Sequence, residues 1–357
     1  MRKLALPLLA VFTVVLTLGL GELLLRALWR NPFRRESPEL VLTLRAQHAN
    51  SDREFDRSAL HLDPPRIRFR TDAHGFIEPV ERIPDPELRL AVQGGSTTEC
   101  LVVQEELRWP NQVAVQLEPL GFRVNVWNAG LSGNTAHDSL VNLIEIVAPL
   151  HPDAVLLMNA INDAGLLADG GYALRAPLPD GWRAGGRFLL QKLSADSSIM
   201  GLVRRSLAFE KQVIHRSGEE PMAYAHTPDP EPYAARLRSW VRTARAFGIE
   251  PVLVTEPLST LRNELTPPWT DAGALAVFNA RVRAVGSEEG AAVIDLAALV
   301  QAQPEFQEPA KFFYDGMHVN DDGARIYGRL VATELAREVL PKLRAARASQ
   351  PPPQIAR

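Results

Sequence analysis

The chain has 357 residues, 46% of them hydrophobic and 23% charged, which is enough to bury the core of one large domain or two modest ones and excludes global disorder. Its 39 basic and 42 acidic side chains leave a formal charge of −3, so no basic field recommends a nucleic-acid partner. The single cysteine, Cys100, excludes an intrachain disulfide and a cysteine-built zinc site.

At the N-terminus Arg2 and Lys3 precede the uncharged run Leu4 to Leu20, and after Gly21-Glu22 the apolar character resumes at Leu23-Leu24-Leu25. This is the pattern of a secretion signal or of a membrane anchor. Gly19-Leu20-Gly21 is a poor cleavage site, and a cut there would leave a Leu-rich stub, so residues 1–30 are expected to be an uncleaved transmembrane signal anchor rather than a signal peptide. Arg26, Arg30, Arg34 and Arg35 outnumber Arg2 and Lys3, which by the positive-inside rule alone would keep the rest of the chain in the cytoplasm. The short basic start before an apolar run favours export, with a periplasmic or otherwise extracytoplasmic domain. Residues 31–85, rich in Arg, Asp, Glu and Pro, read as a linker and lead-in segment. Thr71 to Phe76 reads as a turn pivoting on Gly75, with His74 a surface histidine.

From Leu88 the pattern alternates. Strands are expected at Leu88–Val92, Phe122–Trp127, Ala154–Met158, Pro251–Thr255 and Ala291–Asp295. Helices are expected at Leu101–Leu120, Thr135–Val147, Glu231–Phe247, Ala272–Val285 and Asp321 to about Arg347. Such alternation argues an α/β fold with a parallel sheet covered on both faces, and the wholly apolar Ala154–Met158 fits a strand buried on both sides. The alternation breaks over 164–230, read as a lid or substrate-recognition insertion carrying Trp182, Phe188 and Phe209 and an amphipathic middle from Arg187 to about His215. Residues 348–357, with Pro351-Pro352-Pro353, form a frayed tail.

Four stretches fall at the C-terminal ends of expected strands or just before the last helix, where open α/β sheets bind ligands. Gly94-Gly95 make a tight strand-to-helix turn that leaves Ser96 open to a substrate, the place for a nucleophile. Asn128-Ala-Gly-Leu-Ser-Gly-Asn-Thr135 offers the backbone N–H of Gly133, and Asn159-Ala-Ile-Asn-Asp163 offers the amide of Asn162. Two donors aimed at one oxygen, with the Ser96 N–H, are what a tetrahedral oxyanion needs. In Tyr314-Asp-Gly-Met-His-Val-Asn320, Asp315 and His318 are spaced so that the carboxylate can orient the imidazole. Gly94-Gly95-Ser96 lacks the Gly-Lys-Ser/Thr of a nucleotide P-loop, and His137 and Asp138 lack companions at metal-ligand spacing. Cys100 is expected to pack rather than react.

With these blocks in this order, residues 88–340 resemble the SGNH (GDSL-like) hydrolase superfamily, in a membrane-anchored bacterial form. The resemblance implies a flavodoxin-like three-layer α/β/α sandwich over 86–347 and an acyl-serine mechanism. Ser96, Asp315 and His318 match the family's catalytic residues, and Ser96, Gly133 and Asn162 match its oxyanion donors. It implies no metal or organic cofactor. Two positions depart from the family: Gly95 replaces the Asp of Gly-Asp-Ser, and Ala160 replaces the Gly of Gly-x-Asn-Asp, which is expected to narrow the pocket. The expected activity is hydrolysis of O-acyl, chiefly O-acetyl, esters of carbohydrates or small molecules. An O-acyltransferase acting on an envelope or secreted polysaccharide, and a non-catalytic glycan-binding module, are the alternatives. The expected partners are the acylated substrate and, through the N-terminal helix, a membrane.

Overall fold

The structure is a computed structural model, and it describes residues 2–29, 45–168, 171–172, 193, 197–203, 227–261, 263, 265–266 and 271–349. The chain divides into two compact units, one of Met1–Thr43 with Ala173–Gly218 and one of Leu44–Tyr172 with Glu219–Arg357.

In the first unit α1 (Arg2–Leu28) runs as one helix through Gly19 and Gly21. Among the described residues no helix is long and apolar enough to cross a membrane. The Glu22 carboxylate of α1 accepts hydrogen bonds from Ser197 Oγ (2.9 Å), Ser198 N (2.7 Å) and Ile199 N (3.0 Å), satisfying the first N–H groups of the helical turns at 198–203. Trp182, Phe188 and Phe209 of the expected insertion lie outside the described residues.

The second unit opens with two strands in the lead-in segment, β1 (Asp52–Asp56) and β2 (Arg66–Arg70), paired antiparallel from Asp52↔Arg70 to Asp56↔Arg66. In Arg66-Ile-Arg-Phe-Arg70 the apolar residues alternate inward, so Ile67 and Phe69 are buried while the arginines stay outside. Two residues do not reveal that alternation among so many charges, which is why the strands escape a reading of the sequence. Arg57, just beyond β1, is wholly buried and makes a bidentate pair with Asp321 at 2.8 and 2.9 Å while also donating to the carbonyls of Asp63, Pro64 and Val102. Removing one partner of such a pair typically costs about 3–5 kcal/mol. The lead-in is therefore bolted to the chain at a point three residues beyond His318.

Five parallel strands follow: β3 (Leu88–Gly94), β4 (Val124–Asn128), β5 (Ala154–Met158), β6 (Glu250–Val254) and β7 (Ala292–Ile294), in the spatial order β4-β3-β5-β6-β7. Successive side chains feed two separate cores. Leu88, Leu90 and Val92 of β3, Leu156 of β5 and Val252 of β6 face α3 (Trp109–Leu117) and α9 (Asp321–Glu334). Ala91, Val155 and Leu253 face α4 (Ala136–Asn142), α6 (Glu231–Ala246) and α7 (Ala272–Glu289). Helices thus cover both faces, and the strand order reverses direction between β3 and β5, the position at which such sheets take their ligands.

The remaining helices differ from expectation where proline dictates. The expected helix Leu101–Leu120 is not one helix. Instead α2 (Ser96–Glu99) is a single turn ended by Cys100 in the left-handed region (φ 51°), and α3 starts at Trp109. Pro110 fits only the first turn of a helix, because it lacks an N–H and its ring would strike the carbonyl four residues back. The last helix is continuous from Asp321 to Ala348, with a widened π turn at Leu335–Val339 between α9 and α10 (Leu340–Ala348) just ahead of Pro341. The same device follows α4, where the π turn Leu143–Val147 precedes Pro149. At Ala164 the alternation does not break: α5 (Ile161–Ala168) carries through it. A short helix, α8 (Leu296–Gln301), follows β7.

Candidate active site

Ser96 is the first residue of α2, presented by Gly95 in extended conformation (φ −88°, ψ −151°) at the end of β3. Because α2 is one turn long, it offers Ser96 free N–H groups rather than a long helix dipole. The turn is held from behind by Trp109, wholly buried, whose indole N–H donates to the Thr97 carbonyl at 2.9 Å. His318 stands in the loop before α9, closed by a bridge between Phe313 and Val319 and by Asn320, which caps α9.

The two meet although 222 residues apart: His318 Nε2 lies 2.8 Å from Ser96 Oγ. His318 Nδ1 lies 2.7 Å from Asp315 Oδ2, and Asp315 Oδ1 accepts from the backbone N–H of Met317 (2.8 Å) and His318 (2.7 Å). Asp315 is buried and fully bonded, so it fixes the ring with Nδ1 as donor and leaves the Nε2 lone pair for the serine. The Tyr314 ring stacks on the imidazole, centroids 5.4 Å apart and planes within 5°. All three residues expected to catalyse are therefore in one hydrogen-bonded line.

The expected oxyanion donors come from the loops after β4 and β5. Gly133 takes a left-handed conformation (φ 78°) that a side chain would strain. Its loop is drawn to β3 by Leu131 N, which donates to the Gly94 carbonyl at 3.1 Å, and is covered by Arg45, whose guanidinium donates to the Ser132 carbonyl (2.9 Å) and to Asn134 Oδ1 (3.2 Å). Asn162 spends one amide hydrogen on the Asn134 carbonyl at 3.0 Å. A Cβ on Gly95 would stand 2.5 Å from Asn162 Nδ2. The departure from Gly-Asp-Ser thus has a physical reason: here the Asn162 amide occupies the space that a side chain at 95 would need.

The other departure does not narrow the pocket. Ala160 is wholly buried in the core it shares with α6 and α7, so its methyl is not exposed to a substrate. Among the described residues the cavity beside Ser96 is small, about 10 Å³, between Thr97, Cys100, Val102, Tyr314 and His318. The Cys100 thiol is buried, donates to the Thr97 carbonyl, and is pushed up to about 12 by that burial, so it packs rather than reacts. Asp138 completes a capping box with Thr135, and the His137 ring lies against Tyr172, which accounts for both without a metal. His74 is exposed beside Asp72 in the turn pivoting on Gly75 (φ 87°).

Asp163 is a functional neighbour that the sequence reading passed over. It is wholly buried next to Asn162, accepts from Ala136 N at the start of α4 (3.0 and 3.1 Å) and from the Tyr172 hydroxyl, and thereby joins the loops that carry Asn162 and Gly133. Burial outweighs these donors and pushes its carboxyl up to about 7.

The sequence profile of the GDSL-like lipase/acylhydrolase family matches residues 92–326, a span that holds every residue of this site except those of the lead-in. The chain belongs to that family. It is an ester-hydrolysing enzyme. No curated protein matches it. Among solved structures it is similar to a lipolytic protein of the G-D-S-L family from Desulfitobacterium hafniense (14% identity, 70% of this chain and 100% of that one, TM-score 0.44). It is also similar to a lipase/acylhydrolase from Enterococcus faecalis (17%, 70% and 96%, TM-score 0.45) and to an acetylxylan esterase from Geobacillus stearothermophilus (19%, 70% and 94%, TM-score 0.42).

Two outcomes follow for this GDSL-like enzyme. Gly95→Ala displaces the Asn162 amide, so ester turnover falls by about 10²-fold, the usual cost of one oxyanion donor, while the melting temperature stays within a few degrees of wild type; unchanged turnover would remove Asn162 from the reaction. Asp163 favours the fold most when protonated, so its contribution is complete below about pH 4 and is lost as pH rises through about 7. Thermal melts of the wild type should therefore weaken across that interval, and those of Asp163→Asn should be flatter.

Proposed function

We propose that this enzyme removes O-acetyl groups from carbohydrates through an acyl-Ser96 intermediate. The observation that carries the chemistry is the line Ser96 Oγ, His318 Nε2, His318 Nδ1, Asp315 Oδ2, with hydrogen-bond distances of 2.8 and 2.7 Å. His318 takes the Ser96 proton as Oγ attacks the ester carbonyl, and Asp315 holds the resulting imidazolium. The oxyanion is met by the N–H groups of Ser96 and Gly133 and by the amide of Asn162. Collapse breaks the ester C–O bond, and His318 returns its proton to the departing alcohol. A water, deprotonated by the same Nε2, then releases acetate and frees Ser96.

The acetyl preference rests on space. A cavity of about 10 Å³ beside the nucleophile is at most the size of one water, which favours a methyl over a longer chain. The Gly-Gly-Ser form of the nucleophile turn resembles that of bacterial membrane-anchored members, carbohydrate-acting ones among them, and a sugar is the alcohol in this reading. In this reading residues 1–30 anchor the chain to a membrane with residues 86–347 as an extracytoplasmic catalytic domain, and 164–230 select the alcohol. Support for the anchor is the uncharged run Leu4–Leu20 behind Arg2-Lys3 and the exposure of Val14, Val15, Leu18, Leu23, Leu24 and Leu28 along α1.

The test is turnover of a series of aryl esters and of acetylated xylo-oligosaccharides by the full chain in detergent. Acetyl esters should be cleaved best, octanoyl esters worst, and Ser96→Ala should lose at least about 10⁴-fold in kcat. Equal rates for acetyl and octanoyl esters would refute the acetyl assignment, and acetyl moved between sugars rather than to water would make the enzyme a transferase.

A further inference from the structure

Glu256 lies two residues beyond the end of β6 and takes no part in the line from Ser96 to Asp315. Only 2% of its surface is exposed. Its two carboxylate oxygens are spent on two loops that carry different halves of the site: Oε1 accepts from Thr97 Oγ1 at 2.6 Å, and Oε2 accepts from Ile161 N at 2.8 Å. Thr97 follows Ser96, and Ile161 precedes Asn162. The backbone of Glu256 is itself pinned by Asn279 of α7, which accepts from Glu256 N (2.9 Å) and donates to its carbonyl (2.8 Å). The carboxylate is thus a rigid clamp between the nucleophile turn and the start of α5.

Burying a carboxylate is costly, and among the described residues no arginine or lysine pairs with Glu256. Burial raises its pKa, opposed by its hydrogen-bond donors and by the field of His318. The other titratable groups facing Glu256 do not supply a competing cation. Tyr233 of α6 and Tyr327 of α9 are buried phenols pushed well above their ordinary range, and Asp163 of α5 is a carboxyl that burial pushes up to about 7. Around His318 itself stand Asp315, Ser96 and the Tyr314 ring.

We infer that Glu256 is a positioning residue: it keeps Ser96 and Asn162 in register across the sheet. The inference rests on the proposed roles of Ser96 and Asn162, and it adds a group from the end of β6 to a site otherwise built from β3, β4, β5 and the last loop. Its signature is a loss in kcat with KM unchanged.

The experiment takes Glu256→Gln, which keeps the shape of the side chain but loses one of its two acceptors, and follows the side-chain amide of Asn162 by NMR beside turnover of an aryl acetate. In Glu256→Gln the Asn162 amide resonances should shift and kcat should fall about tenfold with KM unchanged. Should Glu256→Gln fail to fold, Thr97→Val, which removes one arm of the clamp and leaves the carboxylate, should give the same split between kcat and KM. An unmoved Asn162 amide and a wild-type kcat in folded Glu256→Gln, or in Thr97→Val, overturn the inference. The amide shift stands apart from catalysis, so an active Ser96→Ala would sink the acyl-serine reading while that shift still decides the case of Glu256.

Discussion

The hydrogen bond between His318 Nε2 and Ser96 Oγ spans 222 residues of sequence, and no local preference of the chain can produce it. It exists because five parallel strands end on one edge. The turn after β3 delivers Ser96, the loop after β7 and α8 delivers His318, and the reversal of strand order between β3 and β5 leaves a crevice in which they meet. A displacement of about 1 Å at either end would break the contact and cost of order 10²-fold in rate. The surrounding structure is best understood as a set of restraints on that distance.

Those restraints are polar and buried. Arg57 ties the lead-in segment to Asp321 at the start of α9, directly beyond the His318 loop, and that loop is also gripped by Ser259 N, which donates to the Gly316 carbonyl at 3.0 Å. Gln47 donates to Glu99 (2.6 Å), and Glu99 accepts from Ser132 N (2.8 Å), joining the nucleophile turn to the Gly133 loop. Asn159 and Asn162 both donate to the Asn134 carbonyl, at 2.9 and 3.0 Å. An apolar core fixes distances between helices and strands, but it does not fix the direction of a side-chain lone pair. Networks of satisfied buried hydrogen bonds do, and an unsatisfied member of one is expensive enough to hold the rest in place.

Much of this was legible in the chain itself. The strand pattern, the two-sided burial of Ala154–Met158 and the spacing of Asp315 and His318 depend on local periodicity and turn chemistry, and the structure places them as read. What the sequence hid is non-local. Arg57 reads as one arginine among many in a charged segment, and its partner is 264 residues away. Glu256 could have been flagged, since an acidic residue directly after the apolar strand Pro251–Thr255 sits where ligands bind, but its burial depends on Asn279 and Thr97 arriving from elsewhere. The helix expected at 101–120 gives way to a later start at Trp109, because Pro110 outweighs the apolar spacing. Gly95 departs from the family, and the Asn162 amide stands where a side chain at 95 would begin.

The central claim is that Ser96 forms a covalent acyl intermediate with His318 as its base. The most direct measurement is rapid-quench mass spectrometry of the intact chain mixed with an aryl acetate, followed by digestion to locate the adduct. The account predicts a burst of aryl alcohol matched by one acetyl group on the peptide that contains Ser96, with the burst slowed by about 10³-fold or more in His318→Ala. Turnover at wild-type rates with no acetyl on Ser96, or with the acetyl on another residue, would contradict it.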